Sequence, residues 1–138
     1  MLQELSADEQ VGVLLQTADE TGDADLLKAD AYLFCAPENL GALSGAMKEF
    51  FDRHYYAVLD RISGRPYGLL IAAGSDGSGA VRQAERICTG WRLRAVAPAH
   101  IVNTDAQSAQ AILAEKKLAE HQLEPARVMG GTLAALLA

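Results

Sequence analysis

Short apolar runs alternate with mixed segments along this chain. Uninterrupted apolar residues occupy residues 31–36 and 67–73. Runs of this length without polar alternation are typical of strands that are covered on both faces, as in a parallel sheet. We predict two more strands, one at residues 11–16 and a weaker one at about 94–103, where Pro98 favours an edge position or a bulge.

Helical patterns lie between these predicted strands. Ser44 is a favourable N-cap residue, and apolar side chains recur at helical spacing after it. Ser78 is predicted to cap a second helix, which ends near Gly90. A third helix is predicted from about residues 120–125 towards the C-terminus, and a short helical segment near residues 25–29.

This alternation of strands and helices predicts an α/β fold with an open parallel sheet and helices on both faces, in three α/β/α layers. The length of 138 residues predicts a single domain over residues 1–138. In open α/β sheets, ligands bind outside the carboxyl ends of the strands. The segments that follow residues 36 and 73 are therefore the candidate binding loops.

The first of these loops carries a recognisable order of residues. It reads Pro37-Glu38-Asn39-Leu40-Gly41, followed by Ser44-Gly45 and a helix that contains Lys48 and Asp52-Arg53. It resembles the flavodoxin-like family that includes NAD(P)H-dependent FMN reductases, in which Pro-Glu-Tyr-Asn-Gly precedes a Ser/Pro-Gly pair and such a helix. The alternative is an ordinary strand-to-helix turn.

The chain departs from the family pattern at two positions of this loop. Asn39 and Leu40 stand where the family has Tyr and Asn, so an aromatic stacking partner is missing there. Tyr55 or Tyr56 would replace it only if the fold or a second subunit brought one of them near.

The second loop, residues 74–79, is rich in glycine and serine. Its glycines allow backbone amides to face an anion at the start of the next helix. Its order matches neither a P-loop nor G-x-G-x-x-G. The resemblance implies that both loops contact FMN through eight residues: Pro37, Glu38, Asn39, Leu40, Gly41, Ser75, Asp76 and Gly77. Two alternatives stay open, a solvent-exposed Glu38 and an Asp76 that only caps the helix.

The resemblance also implies that a strand, a Ser/Thr/Gly-rich phosphate loop and a long helix precede the second strand. Residues 2–10 look like the tail of that helix, so we expect an N-terminally truncated flavodoxin-like domain without the phosphate loop. In the strand order 2-1-3-4-5, the strand missing from such a domain lies inside the sheet, between strands 2 and 3. We expect either that residues 11–16 pair directly with residues 31–36 or that a second chain supplies the neighbour, as in a homo-oligomer.

Charge excludes one class of partner. Net charge is −6, and the first 30 residues hold eight acidic residues against one lysine. Such a chain is poorly suited to bind nucleic acid. The basic residues concentrate at Arg82, Arg86, Arg92 and Arg94, which is typical of a solvated helix face. Our alternative hypothesis is that Arg82 and Arg86 attract a phosphorylated nicotinamide cofactor.

The remaining patterns concern metals, thiols and membranes. No Cys/His spacing indicates a metal, and both Cys35 and Cys88 lie in apolar patterns typical of buried, inert thiols. No apolar run is long enough for a membrane span, and no signal segment opens the chain. We therefore expect a cytoplasmic protein without membrane partners.

The resemblance implies an FMN-binding oxidoreductase that moves electrons from NAD(P)H to flavin, quinone or a similar small-molecule redox substrate. No catalytic residue is assigned, because the cofactor carries the redox chemistry. One alternative is a cofactor-free flavodoxin-like module that acts in oligomerisation or binding. Another is a one-electron carrier, whose acidic first 30 residues would dock on a basic partner.

Overall fold

The computed structural model describes residues 11–137. Its elements are, in chain order, α1 (Asp23–Lys28), β1 (Tyr32–Asn39), β2 (Ala42–Leu43), α2 (Gly45–Val58), β3 (Pro66–Ala73), α3 (Ser78–Gly90), β4 (Arg94–Ala95), β5 (His100–Asn103), α4 (Ala109–Leu113) and α5 (Glu120–Leu137). Both long apolar runs form the predicted strands, and the four predicted helices are present. The strand β2 and the short helix α4 had no counterpart in the sequence pattern.

The sheet is built around β3. On one side, β1 pairs with it in parallel, from Tyr32 opposite Tyr67 to Pro37 opposite Ala72. On the other side, β4 and β5 pair with it in parallel. Among the strands that the structure describes, only β2 is antiparallel, and it pairs with the end of β1. The carboxyl ends of β1, β3 and β5 therefore lie at the same edge of the sheet.

The core lies between one face of the sheet and the helices α2 and α3. The ring of Phe34 from β1 lies 5.4 Å from that of Phe51 in α2, and Phe51 lies 5.4 Å from Trp91 at the end of α3. Helix α5 covers the other face at Gly68, where a Cβ atom would lie 2.5 Å from Met129 Sδ. The sheet therefore has helices on both faces, as the sequence predicts.

The strand predicted at residues 11–16 is wrong, and so is its direct pairing with residues 31–36. This segment has no regular secondary structure, and the side chains of Leu14 and Leu15 are 69% and 78% exposed. A short apolar run forms a strand only when a neighbouring strand pairs with it and a layer covers it. The predicted helix tail at residues 2–10 lies outside the described residues.

Three element boundaries differ from the prediction. The strand predicted at 94–103 is divided into β4 and β5 around Pro98, which has no N–H to give to a ladder. Strand β1 continues through Pro37 instead of ending before it. Ser78 is the first residue of α3, and the N-cap position belongs to Gly77, whose φ of 91° suits glycine.

The two cysteines have different environments. Cys88 is fully buried, and burial raises the pKa of its thiol to about 12, so it is the inert thiol expected. Cys35 is exposed, which corrects the prediction for that residue. It lies on the face of β1 opposite Phe34, where its register partner Leu70 is only half-buried.

Candidate functional site

The first candidate loop is a tight hairpin rather than an open loop. Strand β1 runs to Asn39, and Leu40 and Gly41 turn the chain with φ angles of 54° and 79° before β2 pairs back. Positive φ at two central residues is typical of a type I′ hairpin turn. The side chain of Leu40 is fully exposed at the tip. The Ser44 N–H donates to the Pro37 carbonyl at 3.1 Å, which fixes the hairpin to the start of α2.

Glu38 joins the two candidate loops. Its Oε1 accepts from the Gly77 N–H at 2.9 Å, and its Oε2 accepts from the Ala80 N–H at 3.0 Å. These amides belong to the N-terminus of α3, where backbone donors lack intrahelical partners and a negative charge is favourable. Both carboxylate oxygens therefore hold the start of α3 in position. Glu38 is half-buried, so the alternative of a solvent-exposed Glu38 is wrong.

The second loop lies beside this contact and presents unused backbone donors. The Asp76 carboxylate accepts from the Ser78 hydroxyl at 2.9 Å and from the Ser78 N–H at 3.3 Å, so Asp76 stabilises the start of α3. Among residues 11–137, no acceptor meets the N–H groups of Ser75, Asp76 or Gly79. These three amides can therefore donate to a bound ligand.

The segment after β5 holds the second loop in place, and sequence reasoning missed it. The Asn103 side-chain amide donates to the Ser75 carbonyl, and the Gln107 amide donates to the Gly74 carbonyl at 3.1 Å. A Cβ atom at Gly74 would lie 2.7 Å from the Ala106 carbonyl oxygen. The only signal in the sequence was the position of these residues after the last predicted strand.

The two loops also touch through backbone alone. A Cβ atom at Gly79 would lie 2.0 Å from the Gly41 carbonyl oxygen. Glycine at position 79 therefore allows the start of α3 to pack against the hairpin. All eight residues expected to bind the cofactor lie in this one region, at the carboxyl ends of β1 and β3.

Neither tyrosine proposed as a replacement stacking partner lies at these loops. Tyr55 stacks on Trp91 with ring centroids 5.8 Å apart, and its carbonyl accepts from the Trp91 indole N–H. Tyr56 is exposed. Both lie at least ten residues along α2 from Gly45, about 15 Å of helix. Within residues 11–137 of one chain, neither Tyr55 nor Tyr56 therefore takes the aromatic position of the family's loop.

The residues present fit the ring of a flavin better than its phosphate. A flat ring with a polar edge can accept hydrogen bonds from the free amides of Ser75 and Asp76, while the exposed Leu40 side chain offers apolar contact. No Ser/Thr-rich loop lies elsewhere at this edge of the sheet in residues 11–137. The fit is therefore to the isoalloxazine, with fewer groups for the phosphate.

A buried histidine lies apart from this site. His54 is 2% exposed; its Nδ1 meets the Asp23 carboxylate, and its Nε2 lies 3.0 Å from the Thr21 carbonyl oxygen. Both ring nitrogens thus attach α2 to the start of α1 at Asp23 and to the segment before it at Thr21. Within residues 11–137, no three His, Cys, Asp or Glu side chains are grouped to hold a metal, and no helix has the length and hydrophobicity to cross a membrane.

Solved structures with the same arrangement of strands and helices are flavodoxin-like proteins. A flavodoxin from the domain Archaea superposes with a TM-score of 0.78 at 13% identity, over 99% of this chain and 85% of that one. A WrbA-like flavodoxin from Agrobacterium tumefaciens gives 0.68 at 16% identity, over 97% and 85%. An NADPH-quinone reductase from P. pentosaceus gives 0.51 at 16% identity, over 89% and 88%. These likenesses confirm the flavodoxin-like fold.

Sequence comparison gives the family. No curated protein sequence matches the chain significantly. The family model described as NADPH-dependent FMN reductase matches residues 20–109, which are 90 of the 138 residues and include both candidate loops. The chain therefore belongs to the NADPH-dependent FMN reductase family, whose members are flavin-dependent oxidoreductases.

Proposed function

We propose that this protein binds FMN and moves electrons from NAD(P)H to flavin, quinone or a similar small-molecule acceptor. One observation carries the proposal: the Glu38 carboxylate joins the two loops that the family match includes and leaves the Ser75 and Asp76 amides free beside the hairpin. Preorganised backbone donors of this kind suit the polar edge of a ring.

In this proposal, the hairpin and the second loop hold the ring from two sides. The hairpin contributes Pro37, Asn39, Leu40 and Gly41, and the second loop contributes Ser75, Asp76 and Gly77. Glu38 is a positioning residue, because both of its oxygens are engaged by α3. FMN, when bound, supplies the electron-transfer chemistry, and the chain's own residues bind and orient it.

Flavin binding tests the proposal directly. The protein is titrated into FMN while quenching of flavin fluorescence is followed, and riboflavin is the matched control without a phosphate. We expect quenching of both flavins, with affinities within about tenfold of each other, since the described site recognises the ring. Absence of quenching with either flavin would overturn the proposal.

A second candidate, a cofactor-free module that acts in oligomerisation, is favoured by the free edge of the sheet. Among residues 11–137, no strand pairs with the edge of β1 opposite β3 before the hairpin at Glu38. An unpaired strand edge is a template for another chain. We propose that the protein forms a homo-oligomer in either case, so flavin binding is the result that separates the two candidates.

A further inference from the structure

A cavity of about 400 Å³ lies beside β4 and β5, on the side of the sheet away from β1. One wall is the connection from β4 to β5 together with His100, the first residue of β5. The other wall is one face of α5, from Glu124 to Thr132. These two residues are eight positions apart, so the cavity extends along about 12 Å of helix. Its size is that of a site for a small molecule.

Apolar side chains form most of the cavity wall. Pro98 lies on the strand side, and Pro125 and Val128 lie on α5. The Val128 side chain is 59% exposed, so residues 11–137 leave this apolar surface in contact with water. Removing such surface from water is favourable for an apolar group that fits against it. The walls therefore suit the apolar body of a ligand, such as an aromatic ring.

His100 contributes a buried nitrogen without a hydrogen-bond partner. It is the register partner of Leu70, which lies two residues from Gly68, so its side chain is on the face of the sheet that α5 covers. Among residues 11–137, no group forms a hydrogen bond with its Nε2. A proton on this nitrogen would be a buried donor without an acceptor, so neutral His100 carries its proton on Nδ1. Nε2 is then an acceptor that a donor on a ligand would satisfy.

Two other polar groups of the cavity are also acceptors. The Thr132 hydroxyl donates its proton to the Val128 carbonyl at 2.8 Å, so its oxygen is left to accept. Glu124 places a carboxylate at the exposed rim. One of its oxygens lies 3.6 Å from Arg127, which is also paired with Glu120. Two carboxylates therefore share one guanidinium, and the rim keeps a net negative charge that favours a cation.

Two contacts give the direction of α5 across the cavity. Near its start, the Gln122 amide donates to the Asn103 carbonyl, at the carboxyl end of β5, at 3.2 Å. Further along, Met129 lies against Gly68, near the amino end of β3. Helix α5 therefore runs antiparallel to these strands. His100 on the sheet and Glu124 on the helix both lie between the two contacts, so one small ligand can reach both residues.

We propose that this cavity binds a small aromatic amine that carries a second hydrogen-bond donor on its ring, such as a phenolic hydroxyl. The ammonium group lies at the Glu124 carboxylate, the ring packs between Pro98 and Val128, and the hydroxyl donates to His100 Nε2. The proposal is independent of flavin binding, because the cavity contains none of the eight residues of the two candidate loops.

Tyramine is the probe, since it joins an ammonium group to a phenol ring. Phenethylamine lacks the hydroxyl and 4-ethylphenol lacks the amine, so each is a matched control for one end of the ligand. Calorimetric titration of the full chain should show tyramine binding about tenfold or more tightly than either control. In methyl NMR spectra, the signals of Val128 and Thr132 should shift when tyramine is added.

Two substitutions separate the two polar contacts. Glu124→Gln should weaken tyramine binding about tenfold and leave 4-ethylphenol binding unchanged. Glu85→Gln makes the same change in net charge at an exposed position outside the cavity, and it should affect neither ligand. His100→Phe keeps a flat ring without nitrogen atoms, and it should lower the affinity for tyramine to that for phenethylamine.

No binding of tyramine to the unaltered protein would overturn the proposal. Equal losses in Glu124→Gln and Glu85→Gln would also overturn it, because a general charge effect would then explain them. Displacement of tyramine by FMN would assign the amine to the flavin loops and so refute the cavity. If His100→Phe does not fold, the unaltered protein still tests the His100 contact, and equal affinities for tyramine and phenethylamine would overturn it.

Discussion

The Glu38 carboxylate accepts a hydrogen bond from the Gly77 N–H across 39 residues of chain, and this contact sets the geometry of the candidate site. The second carboxylate oxygen accepts from Ala80 in the first turn of α3. One side chain at the end of β1 thus satisfies two backbone donors of the helix that follows β3. The hairpin and the second loop consequently hold a fixed relative position without any ligand.

Replacing Glu38 by glutamine should therefore destabilise the fold. Glu38→Gln removes the negative charge at the N-terminus of α3 and leaves one acceptor oxygen where two are used. We expect the free energy of unfolding to fall by about 1–3 kcal/mol, as measured by urea denaturation at pH 7. The control is Glu85→Gln, an exposed position on the same helix, which should change stability by less than about 0.5 kcal/mol. Equal stability of the two variants would refute the role of Glu38.

Flavin affinity should depend on the absence of a side chain at position 79. In Gly79→Ala, the new methyl group would overlap the Gly41 carbonyl oxygen, which is backbone and has no rotamer to change. The hairpin must then move away from α3, so we expect FMN affinity to fall by tenfold or more in the quenching titration. Gly45→Ala is the control, because a Cβ atom there meets nothing within 4 Å. If both variants bind FMN like the unaltered protein, the Gly79 contact does not shape the site.

The sequence predicted the parts of the fold that depend on local pattern. Both apolar runs, at 31–36 and 67–73, form strands as predicted; β3 is buried on both faces along most of its length, whereas burial alternates along β1. Ser44 caps α2 as predicted, with its hydroxyl accepting from the Met47 N–H at 3.3 Å. These features need only residues that are close in sequence, so periodicity and capping rules are sufficient to find them.

The features that were missed depend on distant partners. Glu38 could not be assigned to α3, because its partners lie 39 and 42 residues away and are reached only in the observed register. The Leu40-Gly41 turn gave no hairpin signal, because Leu is rarely found at positive φ. The local pattern of residues 11–16 predicts a strand, but a strand also needs a neighbouring strand to pair with.

Stability should fall at alkaline pH because of Cys88. Burial raises the pKa of its thiol from 9.0 to about 12. Below pH 9, both folded and unfolded chains keep the proton; between about pH 9 and 12, the unfolded chain releases it and the folded chain retains it. In this range the folded state binds more protons than the unfolded state. The Cys88 thiol therefore lowers the free energy of unfolding by up to about 1.4 kcal/mol per pH unit.

Urea denaturation at pH 8 and pH 10 measures this effect. Tyr67, whose pKa burial raises to about 12, adds to the same decrease. The decrease between the two pH values should be about 1 kcal/mol smaller in Cys88→Ala than in the unaltered protein. Thr89→Ala, an exposed neighbour without a titrating group, is the control and should keep the full decrease. Identical pH dependence in all three proteins would contradict the burial of the Cys88 thiol.

One glycine of α5 should be replaceable with a gain in stability. A Cβ atom at Gly131 meets nothing within 4 Å, and the residue lies inside a helix of 18 residues. Gly131→Ala should raise the free energy of unfolding by about 0.5–1 kcal/mol, because alanine loses less backbone entropy in a helix. Thermal denaturation of both variants measures this, and Gly68→Ala should give no gain, since its methyl group would meet Met129 Sδ at 2.5 Å. A loss of stability in Gly131→Ala would mean that position 131 is packed.

The edge of β1 with which no strand of residues 11–137 pairs should support association of two copies. Two β1 strands that pair antiparallel across a two-fold axis would bring the exposed Cys35 of one copy close to Cys35 of the other. Light scattering after size exclusion should then give at least twice the 14.7 kDa of one chain. Cys35→Lys should shift the protein towards the monomer, because a lysine on an edge strand opposes strand pairing and two lysines at the axis repel each other. Cys35→Ser is the control, because it adds no charge and should keep the larger mass. Association through this edge would be refuted by a monomeric unaltered protein. Equal masses in the two variants would refute it as well.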